Sequence, residues 1–179
     1  MKIFLALIGS VVFPVSAFAA LFDDVNETTP KCYVRSYSDT HLAKHPRQTV
    51  KAIHMTLLGF EFKGEKQRFL DIAVKLKKPQ HGRSIFRATM ICMEDGHCFI
   101  ECDGGSATVS EQNGQLVFRN KGITLMGGCD SELEAAEGIE VFLKPTKNGD
   151  DVFRLQPAKE CKIPKWFKEI VEENKSQDL

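Results

Sequence analysis

The sequence predicts a mainly β protein: an antiparallel up-and-down barrel of about eight strands, with a short N-terminal helical turn and a C-terminal helix. Short runs of strand-forming residues recur along most of the chain, and Gly, Asn, Asp and Pro separate them at short intervals. Strands joined by short turns pair with their sequence neighbours, and closing such a meander into a barrel hides its edges. A two-sheet β-sandwich is the alternative.

Residues 1–19 have the pattern of a secretory signal peptide. Lys2 supplies a positive charge, residues 3–12 form an apolar run, and Ala17 and Ala19 are small residues at the positions that a signal peptidase reads. We expect cleavage after Ala19 and an exported product, periplasmic or secreted. The apolar run is too short to span a bilayer well, so we expect no stable membrane insertion.

The rest of the chain divides into three parts. The leader, residues 20–31, is polar, contains Asp23, Asp24 and Glu27, and ends at Pro30, so we expect it to be exposed and flexible. Residues 32–161 form the β-barrel domain. Residues 162–179 form the C-terminal helix and tail.

The helical turn lies near the start of the barrel domain. Ser38 or Asp39 can cap a short helix, and Leu42 is compatible with helical geometry. Pro46 disfavours a helical conformation at the residue before it and ends the helix after one or two turns.

Two runs carry the clearest strand signal. Thr49–Phe60 is rich in Val, Ile, Met, Thr and Leu, and Leu70–Leu76 places an apolar side chain at every second position. A two-residue period gives a strand one buried face. The remaining predicted strands span residues 85–93, 98–102, 108–111, 116–119, 123–126, 139–143 and 152–155.

Turn residues define the hairpins between these strands. Glu94–Gly96 predicts a tight turn, and Asn113 followed by Gly114 is the strongest short hairpin signal in the chain. Gly104 and Gly105 predict a bend or bulge, because a curved sheet needs a residue without a Cβ at such a point.

The C-terminal segment changes to a helical period. Pro164 suits the first turn of a helix, and Ile163, Phe167, Ile170 and Val171 fall on one face. We expect this helix to pack on the outside of the barrel. A helix that binds a partner protein through the same face is the alternative.

The balance of charges bears on the kind of partner that the sequence predicts. The chain has 24 basic and 24 acidic side chains, so its formal net charge is zero. Electrostatics therefore gives no reason to propose a nucleic acid or a membrane surface as a partner. We expect an unknown protein or small ligand instead, and the composition leaves the oligomeric state open.

The six cysteines of an exported chain predict disulfides. A hairpin turn at residues 94–96 places Cys92 opposite Cys98, within disulfide range. We pair Cys102 with Cys129, because each lies at a strand end beside two glycines. Cys32 and Cys161 flank the barrel domain and would join its two ends.

A metal site is the competing interpretation of the cysteines. Cys92, Cys98, Cys102 and Cys129 with His97 could bind zinc, but no two of them have the Cys-x-x-Cys spacing of a zinc knuckle. Disulfides are therefore favoured in an oxidising compartment.

The histidines offer a second, weaker metal site. His41 and His45 are one helical turn apart, and His54 is near them in sequence. No glutamate lies between the first two as in the zinc-protease motif, so hydrogen-bonded or solvated histidines are favoured. We find no nucleophile elbow and no phosphate-binding loop, and we predict no catalytic residue and no cofactor.

Two runs carry a resemblance to a known group. Residues 32–50, including HLAKHPRQ at 41–48, resemble the opening of small exported bacterial envelope proteins of unknown function, and residues 98–105 are similar to a Gly-rich strand end in that group. The resemblance implies a bacterial envelope protein of mainly β architecture, and it implies no activity or site. Cys102 and Cys129 are additional relative to that group.

The sequence therefore predicts a non-catalytic, disulfide-stabilised binding or interaction protein that is not an enzyme. Its ligand would be a protein, such as an enzyme that it inhibits, or a small molecule in the barrel. An envelope metalloprotein or hydrolase that uses His41 and His45 is the alternative.

Overall fold

The protein is a closed antiparallel β-barrel. The computed structural model describes residues 21–80, 82–125, 140–147, 149–161, 163–164, 167–169 and 171–172. The predicted signal peptide lies outside these residues. The described strands are β1 (Lys31–Ser36), β2 (Val50–Phe62), β3 (Glu65–Gln80), β4 (Arg83–Cys92), β5 (His97–Phe99), β6 (Gly105–Gln112), β7 (Gln115–Leu125), β8 (Val141–Leu143) and β9 (Val152–Pro157).

Closure of the sheet confirms the barrel over the sandwich. The strands follow the order β6-β5-β4-β3-β2-β1-β9-β7-β8, and a further pairing of β6 with β7 closes a ring of eight strands that leaves β8 outside. The first seven strands form a meander, and β9 closes the ring by pairing with both β1 and β7. β8 pairs with the C-terminal end of β7, at residues 123–125.

The predicted turns have the geometry that their residues favour. Asn113 and Gly114 both have positive φ, at 53° and 73°, and they join β6 to β7. The predicted bulge occurs where the pairing of β6 shifts after Gly105. Gly105 has a φ of 93°, and a Cβ there would lie 1.9 Å from the carbonyl oxygen of Gly122, so only glycine allows this approach.

Several strands differ from the sequence prediction. The strand predicted at 98–102 is β5, which ends at Phe99, and residues 101–103 form a turn. β1 was not predicted as a strand, although Cys32 and Tyr33 in it are buried and it pairs with β2 along its whole length. The separate strands predicted at 116–119 and 123–126 belong to one strand, β7, which runs through the predicted break at Gly122. Gly122 has a positive φ of 107°, which glycine adopts without strain.

The interior of the barrel is filled with apolar side chains. The alternating residues Leu70, Ile72, Val74 and Leu76 of β3 are all buried, as the period predicts. They belong to one continuous apolar cluster that also contains Phe86, Phe118 and Phe153. The helix α1 (Asp39–Lys44) has the predicted N-cap, Ser38, and its Leu42 is buried.

The prediction of an exposed leader is wrong for its apolar residues. Leu21, Phe22 and Val25 are at most 3% exposed and belong to the interior cluster of the barrel. Lys66 donates to the carbonyl oxygen of Phe22 at 2.6 Å, and Gly59 gives the backbone of Val25 room to approach β2. The polar composition of the leader concealed three side chains that complete the core.

The predicted C-terminal helix packs on the outside of the barrel. Residues 167–169 and 171–172 are helical, and we call them α2. Phe167 meets Phe60 edge to face at 5.9 Å. These two residues form a second apolar cluster with Leu58 and Val171, which we call the outer cluster. Ile170 lies outside the described residues. Within the part of the chain that the structure describes, no helix has the length and apolar character needed to cross a bilayer.

The structure contains two of the predicted disulfides. Cys92 lies opposite Cys98 in the ladder between β4 and β5, and the two are bonded. Cys32 is bonded to Cys161, 129 positions later. Cys102 is also disulfide-bonded, and its predicted partner, Cys129, lies outside the described residues. Disulfides persist in oxidising compartments, so these bonds suggest an exported protein.

Asp71 has a buried carboxylate, and burial disfavours the charged form of this group. Its side chain is 7% exposed on the outer face of β3, and its ion pair with Arg87 is long, at 3.7 Å. Burial raises the pKa of Asp71, although Arg87 and a hydrogen bond from Thr89 act in the opposite direction. Folding therefore favours the protonated carboxyl group.

We expect Asp71→Asn to raise the free energy of unfolding at pH 7 by about 1 kcal/mol, the usual size of a single-residue effect. Because the folded-state pKa is raised, the favourable contribution of Asp71 is present below its unfolded pKa and is lost as the pH rises. The advantage of the variant should therefore shrink between pH 7 and pH 3 in urea unfolding. Glu61→Gln, at an exposed position, is the control. A variant less stable than the wild type at pH 7 would contradict this assignment.

Candidate anion-binding groove

The barrel wall opens between β1 and β9. The two strands pair at Tyr33–Pro157 and Val34–Gln156, and their register stops there, although β1 continues to Ser36 and β9 begins four residues before Gln156, at Val152. We call this opening the seam. It lies beside α1, which follows directly after β1.

A groove with a volume of about 890 Å³ lies at the seam. We call it the rim groove. One wall comes from the end of β1, α1 and the residues after it, and the other comes from β7, β9 and the turn before β9. Its lining residues are Arg35, Tyr37, His41, Lys44, His45, Pro46, Arg47, Gln48, Arg119, Lys147, Gly149, Asp151, Val152 and Arg154.

Positive charge dominates the rim groove. Six of its residues are cations (Arg35, Lys44, Arg47, Arg119, Lys147 and Arg154), and Asp151 is its only carboxylate among the described residues. The described ion pairs of the protein use Lys31, Lys51, Arg68 and Arg87, and none uses a groove cation. Arg154 instead donates to the side-chain oxygen of Gln112 at 3.2 Å. Among the described residues, no carboxylate therefore neutralises a groove cation through an ion pair.

Stacked rings form one wall of the groove. His41 lies between Tyr37 and His45, with ring centroids 4.8 Å and 4.2 Å away, and the guanidinium of Arg35 lies 5.2 Å from the Tyr37 ring centroid. Burial raises the pKa of Tyr37, with Arg35 acting in the opposite direction, so the phenol remains neutral at pH 7. The wall therefore offers flat ring surfaces beside cations.

Buried polar side chains hold this wall in place. Gln48 is 4% exposed, and its amide nitrogen donates to the carbonyl oxygen of Val50 at 2.9 Å. Its amide oxygen lies 3.1 Å from Nε2 of His41, which acts as the donor. Because the amide is fixed by β2, the orientation of the His41 ring is also fixed.

Asp150 joins the two walls of the groove. Its carboxylate accepts hydrogen bonds from the backbone nitrogen and hydroxyl of Thr49 and from the backbone nitrogen of Val50. Its backbone oxygen accepts from the side chain of Asn120 in β7 at 2.9 Å. The turn that carries Lys147 is therefore tied to both β2 and β7.

The structure brings together two of the three histidines considered as metal ligands. His41 and His45 stack in the rim groove, whereas His54 lines a separate shallow groove on the outer faces of β1, β2 and β3. Among the described residues, no group of three or more His, Cys, Asp or Glu side chains is arranged to hold a metal ion. The alternative site at His41, His45 and His54 is thus not assembled here.

Sequence reasoning missed the cations of the groove. They lie between positions 35 and 154 on five separate parts of the chain, so no local run of basic residues marks them. The neutral total charge concealed them further. Only the run at 41–48, which carries Lys44, Arg47 and both stacked histidines, places several groove residues close together in the sequence.

Comparisons with protein-family models, with curated proteins and with solved structures found no match for this chain. The resemblance of residues 32–50 to small exported envelope proteins therefore stays a prediction.

Proposed function

We propose that this protein is an exported, non-catalytic binding protein that holds an anionic ligand in the rim groove. The observation that carries the proposal is the set of six cations around one groove, none paired with a described carboxylate. Surfaces that gather cations without neutralising them raise the local concentration of anions and hold them by charge-assisted hydrogen bonds.

The fold supports recognition at the surface rather than inside the barrel. The interior is occupied by an apolar cluster that includes Phe86, Phe118, Phe153 and the leader residues Leu21 and Phe22. The rim groove, in contrast, is open, and its walls are braced by the buried polar groups described above. The histidines of the groove also have a supporting role, since His41 is held by Gln48 and by stacking on Tyr37.

Export is the second part of the proposal. It rests on the signal-peptide pattern of residues 1–19 and agrees with the disulfides of the folded domain. A bacterial periplasm or the exterior of the cell would provide the oxidising environment.

Charge reversal in the groove tests the proposal. The double variant Arg119→Glu, Arg154→Glu should bind a fluorescein-labelled heparin hexasaccharide at least about tenfold more weakly than the wild type, because charge-assisted hydrogen bonds are lost and repulsion replaces them. Fluorescence anisotropy at low salt measures this difference. Both side chains are exposed, so the fold should tolerate the changes.

The matched control changes the same charge elsewhere. Lys75→Glu, Lys77→Glu alters two exposed cations of β3 that do not line the rim groove, and it should leave heparin binding within about twofold. Equal weakening in both variants would show that total charge, rather than the groove, attracts the probe. Absence of binding by the wild type would also overturn the proposal.

A further inference from the structure

The seam leaves part of the β9 edge without a strand partner in the barrel. On the β7 side, the backbone nitrogen of Asn120 donates to the carbonyl oxygen of Asp151 at 2.9 Å. Alternate residues of an antiparallel strand direct their backbone groups to opposite neighbours. Val152, Arg154 and Gln156 therefore direct their N–H and C=O groups away from β7, towards β1.

Only the last of these three residues meets β1. Gln156 pairs with Val34, and beyond it Ala158 donates to the carbonyl oxygen of Cys32 at 2.7 Å. The register with β1 does not reach Val152 or Arg154. These two residues thus present a short open strand edge inside a groove lined by cations.

We propose that the ligand of the rim groove is an extended acidic segment of a partner protein, which adds as a strand to the β9 edge at Val152 and Arg154. This inference rests on the proposed function and specifies its ligand. Strand addition gains affinity from main-chain hydrogen bonds and specificity from alternate side chains.

The open edge favours a polypeptide over other polyanions. Each exposed residue of the edge offers one N–H donor and one C=O acceptor. A peptide backbone satisfies both groups, whereas a phosphate or sulfate polymer offers acceptors to the N–H groups and repels the carbonyl oxygens. Nucleic acids and sulfated polysaccharides are therefore the less complementary ligands at this edge.

The positions of the cations predict where the acidic residues of the ligand lie. Phe153 faces the interior, so the side chains of Val152 and Arg154 share the outer face. Arg119 is the register partner of Val152 in β7, and it is also exposed. Two guanidinium groups thus flank the edge on one face, which suits a strand with a carboxylate at every second residue.

An octapeptide of alternating threonine and glutamate, labelled with fluorescein, tests the inference. Two N-methylated forms, one methylated at every threonine and the other at every glutamate, keep the charge of the peptide and remove one set of alternate N–H donors. Strand addition to one edge predicts that one form binds at least about tenfold more weakly than the parent and the other binds nearly as well. Equal affinity of all three peptides would overturn the inference.

A substitution that changes the backbone of the protein provides a second test of strand addition. Val152→Pro removes one N–H of the open edge, keeps every cation, and places proline at the first residue of a strand, where it is tolerated. Val152→Pro should bind the peptide at least about fivefold more weakly and bind the heparin hexasaccharide with unchanged affinity. Val152→Ala, which keeps the N–H, should bind both probes as the wild type does. Equal peptide binding by both folded variants would contradict strand addition.

A measurement on the wild type does not depend on whether a variant folds. The backbone amides of Val152 and Arg154 should gain protection from hydrogen exchange when the peptide is added, as seen by NMR. Protection elsewhere without protection of these two amides would overturn the inference. If the groove binds heparin but the peptide backbone proves irrelevant, the proposed function stands and only the strand addition is wrong.

Discussion

Replacing Cys32 and Cys161 together with alanine is expected to lower the free energy of unfolding by about 4–5 kcal/mol, the largest effect of any change considered for this protein. The bond closes a loop across 129 positions, so its removal releases the most chain entropy in the unfolded state. Domains are typically stable by about 5–15 kcal/mol, so this loss removes a large share of the total. Urea unfolding under non-reducing conditions measures it.

The second disulfide supplies a matched control. Cys92 and Cys98 are only six positions apart, and the same chain-entropy model gives their bond about 2 kcal/mol. Cys92 and Cys98 are at least as buried as Cys32 and Cys161, so replacing them with alanine leaves a cavity at least as costly. A smaller loss of stability in this variant would therefore not result from a smaller cavity. If the two variants lost equal stability, loop entropy would not be the source of the stabilisation.

The long disulfide also affects where α2 lies. Cys161 closely precedes the segment whose Phe167 packs on Phe60, and Cys32 belongs to β1. Breaking the bond frees that segment from the wall of the barrel. We therefore expect the outer cluster to gain exposure in the alanine variant before the interior does, as hydrogen exchange of β2 would show.

Local patterns predicted most of the barrel because they act over few residues. The two-residue period of Leu70–Leu76 determines which face is buried, and Asn113 with Gly114 favours one hairpin geometry. The strand at 31–36 escaped notice because its burial depends on β2 and β9, which pair with it from distant parts of the chain. The burial of Leu21 and Phe22 is likewise a tertiary effect.

The rim groove was beyond sequence reasoning for a related reason. Arg35 and Arg154 are far apart in the chain and become neighbours only because β9 closes the ring beside β1. A neutral total charge gives no information on how charges are distributed over the surface. The stacking of His41 on His45, in contrast, follows from their helical spacing.

Asp150→Ala should be the most damaging single substitution near the groove. The carboxylate is buried with its residue 1% exposed, and it accepts hydrogen bonds from three donors of Thr49 and Val50. The buried backbone N–H of Val50 loses its acceptor, which costs about 1–3 kcal/mol, whereas the two donors of Thr49 are only part-buried and can turn to water. We therefore expect a loss of about 2–4 kcal/mol in urea unfolding, together with weaker heparin binding because Lys147 is no longer held beside β2.

Asp151, the next residue, serves as a control that distinguishes structural support of the groove from a change in its charge. Asp151 lines the groove and is partly exposed, so Asp151→Ala removes the same side chain from the next position without leaving buried donors unsatisfied. It should change stability by less than about 0.5 kcal/mol and strengthen heparin binding, because the groove loses its negative charge. If Asp150→Ala were as mild as Asp151→Ala, the turn would not depend on its buried carboxylate. Heparin binding is expected to weaken in Asp150→Ala and to strengthen in Asp151→Ala. These opposite changes distinguish a residue that holds the groove in shape from one that contributes only its charge.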